Sequence, residues 1–149
     1  MSAPRFQFLE QAATVLRAMP AAPTVEVGTV RRYGDAPTYP WIGLIPADGS
    51  KIEPAAFQGL DVDRFRAYLY GFVQTDGITT VSERLLTLVH DCQRALRQTG
   101  SFALLRPGTA FQYATDLIFE EEDLDYTADG NGAEFLLPLV VDIPDDLTT

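Results

Sequence analysis

Apolar residues recur at helical spacing in two stretches of the chain. A first helix is predicted between Ser2, a suitable N-cap, and Pro20, which ends the helical pattern. A second is predicted from Thr80, whose spacing to Glu83 is that of a capping box, to Gly100, a suitable C-terminal stop. Its apolar stripe comprises Val81, Leu85, Leu88, Val89, Cys92 and Leu96.

Alternating apolar and polar residues predict strands between the two helices. The stretch 24–33 reads as a half-buried strand with Gly28 as a candidate bulge, and 39–46 as a shorter second strand. The clearest alternation runs over 63–74. The stretch 51–59 has poor periodicity, so it is either an extended arm or a loop that crosses to the next strand.

The predicted strand 63–74 has two unlike sides. Phe65, Ala67, Leu69, Gly71 and Val73 share one side, and Arg64, Arg66, Tyr68, Tyr70 and Phe72 share the other. The first side suits packing against helices. The second is cationic and then aromatic, so it is either a protein contact or a surface that the chain's own loops cover. Trp41 beside Tyr39 likewise allows a ligand platform, but packing is the commoner use.

The stretch 116–143 predicts a β-hairpin. Two runs rich in β-branched and aromatic residues flank a connector that contains Asp129-Gly130 and Asn131-Gly132, dipeptides typical of tight antiparallel turns. The first arm becomes acidic halfway along, whereas the second is almost wholly apolar. One end of the hairpin is therefore suited to solvent or a charged neighbour, and the other to a core.

Together these elements predict an α+β fold. We expect an antiparallel or mixed sheet of about four to six strands with the two α-helices packed on one face. The strand 63–74 and the hairpin 116–143 should form its centre. The length of 149 residues suits a single domain, residues 1–149, with a short flexible C-terminal tail from Asp145.

Charge is distributed unevenly along the chain. The formal net charge is −10, and no Lys or Arg occurs from Pro107 to the end. Eleven acidic residues lie in that stretch: Asp116, Glu120, Glu121, Glu122, Asp123, Asp125, Asp129, Glu134, Asp142, Asp145 and Asp146. Nucleic-acid binding needs a basic patch, and none is apparent, so tight DNA binding is not expected. The acidic stretch either serves solubility alone or has a specific role.

The sequence offers little catalytic or metal-binding chemistry. The lone histidine, His90, and the lone cysteine, Cys92, point apart on one helix, by about 200° at helical geometry. No metalloprotease, phosphate-loop, hydrolase or dinucleotide motif occurs, and the acidic stretch fits no EF-hand register. We therefore expect a protein that is not an enzyme and has no cofactor. No membrane-spanning stretch or export signal is visible, which indicates synthesis in a reducing cytoplasm.

The order of elements carries a resemblance over most of the chain. A helix, strands, an amphipathic helix, and then an acidic strand, a polar Asp/Gly turn and a final apolar strand (116–143) resemble the phage tail terminator, or tail-completion, proteins of long-tailed bacteriophages and phage-like particles. The resemblance implies a virion protein that forms a homohexameric ring at the head–tail junction. Such a ring caps the tail tube, stops its polymerisation and joins it to the head connector, while DNA passes through without specific binding.

Two candidate surfaces follow from the residues and the implied ring. The predicted subunit interface comprises Arg64, Arg66, Tyr68, Tyr70 and Phe72. The predicted lumen or docking surface comprises Glu120, Glu121, Glu122, Asp123 and Asp125. We expect the partners to be further copies of the chain, the tail tube protein and the head connector, with no membrane. Segregated charge on these surfaces would suit head-to-tail contacts in a ring. The alternatives are another head–tail connector or neck subunit, and a small cytoplasmic ligand-binding α+β domain.

Overall fold

The computed structural model of the protein describes residues 4–54, 61–97 and 116–144. Within these residues the elements are α1 (Pro4–Arg17), β1 (Thr24–Val27), β2 (Trp41–Pro46), β3 (Lys51–Pro54), β4 (Asp61–Gln74), α2 (Val81–Arg97), β5 (Asp116–Phe119), β6 (Asp123–Tyr126) and β7 (Gly132–Pro144). The strands form one mixed sheet, and both helices contribute to the core on one of its faces. The predicted α+β class is confirmed.

The sheet is built around its two longest strands. Its order is β1-β2-β4-β7-β5, with β3 beside β4 and β6 beside β7. β4 and β7 pair antiparallel along nearly their whole length, from Val62 opposite Pro144 to Gln74 opposite Gly132. β1 pairs parallel with β2, and this pair makes the sheet mixed. The predicted central position is therefore confirmed for β4 and for β7, the second arm of the hairpin, whereas the first arm (β5 and β6) lies at the edge of the sheet.

The core lies between the helices and one face of the sheet. Alternate residues of β4, among them Phe65 and Leu69, are buried against the helices, as the alternation of strand side chains requires. The predicted apolar stripe of α2 is confirmed, since all six of its residues are buried. Thr80 caps this helix, because its Oγ1 accepts a hydrogen bond of 3.2 Å from the backbone N–H of Glu83.

One ion pair ties α1 to the central strand. Asp63 is only 5% exposed, and its two carboxylate oxygens accept hydrogen bonds of 2.6 and 2.5 Å from Nε and Nη2 of Arg5. The guanidinium of Arg5 also lies 5.4 Å from the centre of the Phe65 ring. A buried carboxylate is costly unless it is paired in this way, so this contact fixes the position of the helix on the sheet.

The first predicted strand is too long. It ends at Val27, because Gly28 has a φ of 77°, a left-handed conformation that turns the chain out of the sheet. Residues 28–40, here called the cover segment, then cross over the face of the sheet opposite the helices. The expectation of a half-buried strand up to residue 33 is wrong, and Val30 is 75% exposed.

The acidic arm of the hairpin is two strands and not one. Phe119 lies opposite Leu139, but Asp123 lies opposite Leu136, so three residues of the arm face two of β7. The backbone N–H of Glu120 still donates to the carbonyl of Pro138 at 2.9 Å. Residues 121–122 therefore form a β-bulge that separates β5 from β6.

This break and the short β3 raise the strand count among the described residues above the predicted four to six. The turn at residues 127–132 is as predicted, with Gly130 at a φ of 74°. β3 shows that the stretch 51–59 begins as a strand. The rest of that stretch, the predicted loop 101–114 and the C-terminal tail lie outside the described residues.

Candidate functional site

The face of the sheet opposite the helices, here called the outer face, carries the predicted subunit interface. The alternation of β4 places all five residues of that interface on this face: Arg64, Arg66, Tyr68, Tyr70 and Phe72. The cover segment divides the face into two halves. One half is buried under the chain's own residues, and the other is open among the residues that the structure describes.

An aromatic cluster fills the covered half. The ring of Trp41 stacks on Phe72 at 5.1 Å between centroids and meets Tyr70 edge-on at 5.2 Å. Tyr33, from the cover segment, packs edge-on against Phe72 at 6.0 Å. Gly43 makes room for the cluster, since a Cβ at this position would lie 2.5 Å from the Tyr70 ring. These rings form a second hydrophobic core on the outer face.

Hydrogen bonds hold the cover segment on the aromatic cluster. The hydroxyl of Tyr70 donates to the carbonyl of Thr29 at 2.6 Å and accepts from the N–H of Arg31 at 3.1 Å. Burial raises the pKa of this hydroxyl, so it stays protonated as a donor. Oε1 of Glu26 accepts from Nε of Arg31 at 2.8 Å and from Nε1 of Trp41 at 2.9 Å. These two hydrogen bonds, that of Arg31 first, lower the pKa of Glu26.

The cover segment changes the predicted interface. Phe72 is 1% exposed and Tyr70 is 9% exposed, so the chain's own residues cover both. The sequence leaves this open as the alternative to a protein contact. Phe72 and Tyr70 are therefore removed from the exposed surface. Trp41 is fully buried, so it packs and does not form a ligand platform. A contact of Arg64, Arg66 and Tyr68 with a neighbouring subunit stays a prediction.

The open half of the outer face is largely apolar. Ile45, Tyr68 and Pro138 lie side by side on neighbouring strands, and Val140 and Ile118 lie side by side one row away. We call these five residues the apolar strip. Three of them are half-buried, Val140 is 9% exposed and Ile118 is 50% exposed. The five positions span four strands, and the ion pair between Arg66 and Glu120 joins β4 to β5 across β7, between Pro138 and the buried Val140.

The two arginines on the outer face are paired within the chain. Nη2 of Arg66 forms an ion pair with Oε1 of Glu120, and Nε of Arg64 lies 3.1 Å from Oδ1 of Asp142. That the segregated charge of these surfaces suits head-to-tail contacts in a ring stays a prediction. Both arginines already have an acidic partner in their own chain, because the register of β4, β7 and β5 brings these side chains to adjacent positions.

The other predicted acidic residues lie at the edge of the sheet, beyond Glu120. Glu121, Glu122, Asp123 and Asp125 are exposed, and in the described part of the chain no ion pair engages them. Asp123 and Asp125 line a shallow cleft together with Glu134. We call these five acids the acidic edge. The structure thus separates Glu120, which neutralises Arg66, from the four acids that it was grouped with.

The lone cysteine and the lone histidine lie in unlike environments. Cys92 is buried, and burial raises its pKa to about 12, whereas His90 is exposed on the same helix. Among residues 4–54, 61–97 and 116–144, no group of three or more His, Cys, Asp or Glu is placed to hold a metal ion. No helix in the same residues is long and apolar enough to cross a membrane.

The cover segment is the element of the outer face that sequence reasoning missed. Its signals were Gly28 and Gly34, both at positive φ, and two tyrosines, Tyr33 and Tyr39, in a stretch assigned mainly to a strand. Glycines that turn the chain beside aromatic residues are compatible with a loop folded onto an apolar surface. What the sequence could not supply was the surface that the tyrosines reach.

Comparison with known proteins yields matches among solved structures. No family model and no curated protein matches the chain. Among solved structures, a chain from the virion of a native gene transfer agent particle matches with a TM-score of 0.49 and 9% sequence identity. The match covers 93% of this chain and 95% of that one. The function is therefore proposed from the order of elements and the surfaces of this chain.

Proposed function

We propose that the protein is a structural subunit of a phage-like particle that assembles into a ring through the outer face of its sheet. The observation that carries the proposal is the apolar strip. Its residues lie on four neighbouring strands, and the two arginines beside it are already paired within the chain. Burying the strip on another protein would remove apolar surface from water without leaving Arg64 or Arg66 unpaired.

The particular role that we propose is that of a tail terminator. The order of elements on which the resemblance rests is present in the fold: α1, strands, α2 and the late hairpin. In this role a homohexamer would cap the head-proximal end of the tail tube, stop its growth and later accept the head connector. Another head–tail connector or neck subunit would use the same apolar strip, and contact with tail tubes distinguishes the two.

The acidic edge has two possible roles in such a ring. If it lines the bore, its charge would repel DNA phosphates and let the genome slide without binding. If it faces the tube, it would dock on a basic surface of the tube protein. Charge reversal at Glu121, Glu122 and Asp123 separates these roles, because it should abolish capping only if the acids dock. Glu120 is left unchanged in this test, since its reversal would also break its ion pair with Arg66.

We further propose that the protein has no enzymatic activity, as expected from its sequence. The support is the placement of its most reactive side chains. Cys92 is buried with a pKa of about 12, so it is a poor nucleophile at neutral pH. His90 is exposed and no acid–base partner contacts it among the described residues. An assembly role needs no such partner.

The first experiment is the mass of the purified protein by light scattering, alone and mixed with short tail tubes. A particle of six times the 16.4 kDa of the monomer, formed alone or only on tube ends, supports the terminator role. Assembly without tube binding favours the neck subunit. A monomer under all conditions refutes the ring and leaves the ligand-binding domain.

A matched pair of variants tests the surface itself. Ile118→Lys places a charge in the apolar strip, where Ile118 is 50% exposed. Leu86→Lys makes the same change at Leu86 on α2, which is 52% exposed but lies on the helix side of the molecule. Assembly should be lost with the first variant and kept with the second. Equal behaviour of the two variants would refute the assignment of the outer face.

A further inference from the structure

Within the described part of the chain, the strand β6 leaves backbone groups open at the edge of the sheet. It pairs with β7 on one side, and the sheet order places this arm last among the described strands. In an antiparallel pair, alternate residues direct both backbone polar groups to the partner. The N–H of Thr127 donates to the carbonyl of Gly132 at 3.0 Å. The alternate residues before it, Asp125 and Asp123, therefore direct their backbone N–H and carbonyl groups toward β7. The backbone groups of Leu124 and Tyr126 therefore face away from the sheet.

The side chains around these open groups are exposed and chemically unlike. Leu124 is 37% exposed and Tyr126 is 46% exposed, and both point to the helix side. Asp123 and Asp125 point to the outer side, two residues apart. Oδ1 of Asp125 accepts a hydrogen bond of 3.0 Å from the open N–H of Tyr126. In the isolated chain, an acidic side chain thus occupies one of the groups that a further strand would use.

We propose that β6 is a pairing edge for an extended segment of a partner protein that carries Lys or Arg at alternate positions. Side chains at alternate positions of a strand share one side, so the cations of such a segment would lie opposite Asp123 and Asp125. A cation that pairs with Asp125 draws its carboxylate off the N–H of Tyr126. That N–H is then free to donate to a carbonyl of the incoming segment.

The same acids exclude a second copy of this edge. Two β6 strands side by side would bring Asp123 and Asp125 of one copy against those of the other, and like charges directly opposite are destabilising. The charge thus selects a basic partner over self-pairing. The inference deepens the docking role proposed above, but it concerns a short backbone interaction that can be measured without a ring or a tube.

The test uses a synthetic peptide in which lysine alternates with valine, titrated into the full-length protein by calorimetry. Its control is the same peptide with N-methyl groups on alternate backbone nitrogens, which keeps the charge but blocks the strand hydrogen bonds. A hydrogen bond contributes about 1 kcal/mol, so loss of two should weaken binding by about tenfold or more. Equal binding of both peptides would mean attraction by charge alone and would overturn the proposal.

Variants of the protein locate the edge. Leu124→Pro removes an N–H that faces away from β7, so it should block peptide binding while the fold is kept, and Leu124→Ala is its matched control. Asp125→Ala frees the N–H of Tyr126, so a threonine–valine peptide without charge should gain affinity. If Leu124→Pro fails to fold, the comparison with the N-methylated peptide still tests whether strand hydrogen bonds contribute to binding. If the native chain self-associates and Leu124→Pro abolishes this self-association, β6 pairs with a second copy, and the proposed exclusion of such pairing is overturned.

The outcome is separable from that of the proposed function. Peptide binding with an unchanged monomer mass would support the pairing edge and refute the ring. A ring that forms while both lysine peptides bind with equal affinity would support the ring and refute the pairing edge.

Discussion

The clearest test of the outer face is a single methyl group at Gly132. A Cβ at this position would lie 1.9 Å from Oη of Tyr33, so Gly132→Ala should push the Tyr33 ring away from the sheet. Gly132 is not among the residues at positive φ, and the alanine backbone is therefore unstrained. The variant should act only by removing the anchor of the cover segment.

The expected loss follows from the contacts of Tyr33. Its ring meets Phe72 at 6.0 Å and Tyr39 at 5.5 Å, and an aromatic pair contributes about 0.5–1.5 kcal/mol. Gly132→Ala should thus lower the free energy of unfolding by about 1–3 kcal/mol. For a chain of this length that corresponds to a fall in Tm of about 2–12 °C.

The assay is denaturation followed by the fluorescence of Trp41, the single tryptophan of the chain, which stacks on Phe72 within the cluster. A double-mutant cycle with Tyr33→Ala provides the control. Once Tyr33 is truncated, the added methyl has nothing to displace, and Gly132→Ala should change the stability by less than about 1 kcal/mol. An equal loss in both backgrounds would refute the clash and the role of Tyr33 as anchor.

Three further predictions concern single groups. The hydrogen bonds of Arg31 and Trp41 lower the pKa of Glu26, so their stabilisation should be present above the unfolded value of 4.5 and be lost as the pH falls through the folded pKa. The denaturation midpoints of Glu26→Gln and of the native protein should therefore differ at neutral pH and converge in acid, once Glu26 is protonated in the folded chain. Burial of Cys92 raises its pKa to about 12, so a thiol reagent at mildly alkaline pH should react slowly with the folded chain and rapidly in urea; equally fast reaction in both would contradict its burial. Thr80→Ala removes the cap of α2 and should cost about 1 kcal/mol in urea denaturation, whereas Thr80→Ser should cost little.

Sequence reasoning succeeded where an element depends on residues close in sequence or on a pattern that repeats over many residues. The stripe of α2 and its cap could be read directly, because each depends on residues a few positions apart. The two long central strands were also evident, since alternation over many residues fixes which side is buried. The hairpin turn followed from its Asp–Gly and Asn–Gly dipeptides, with Gly130 at positive φ as such a turn requires.

The errors arose where structure depends on a partner distant in sequence. Whether residues 28–33 continue a strand or leave the sheet depends on the rings of Tyr70 and Phe72, about 40 positions later in the chain, which offer Tyr33 a place to pack. The bulge at residues 121–122 depends on the register with β7, which no property of the acidic arm specifies. The pairing of Arg66 with Glu120 depends on that same register.

The edge strands β1 and β6 differ from the outer face, because their contact with another copy would use backbone hydrogen bonds. At β1, the carbonyl of Val25 already accepts a hydrogen bond of 2.8 Å from Nη2 of Arg17. At β6, Asp125 holds the N–H of Tyr126, and its charge opposes another acidic strand. The charge on β6 thus opposes the pairing of two β6 strands. If a ring closes through the apolar strip, the acidic edge remains available to a basic partner. A ring held together by continuous strand pairing would contradict both assignments.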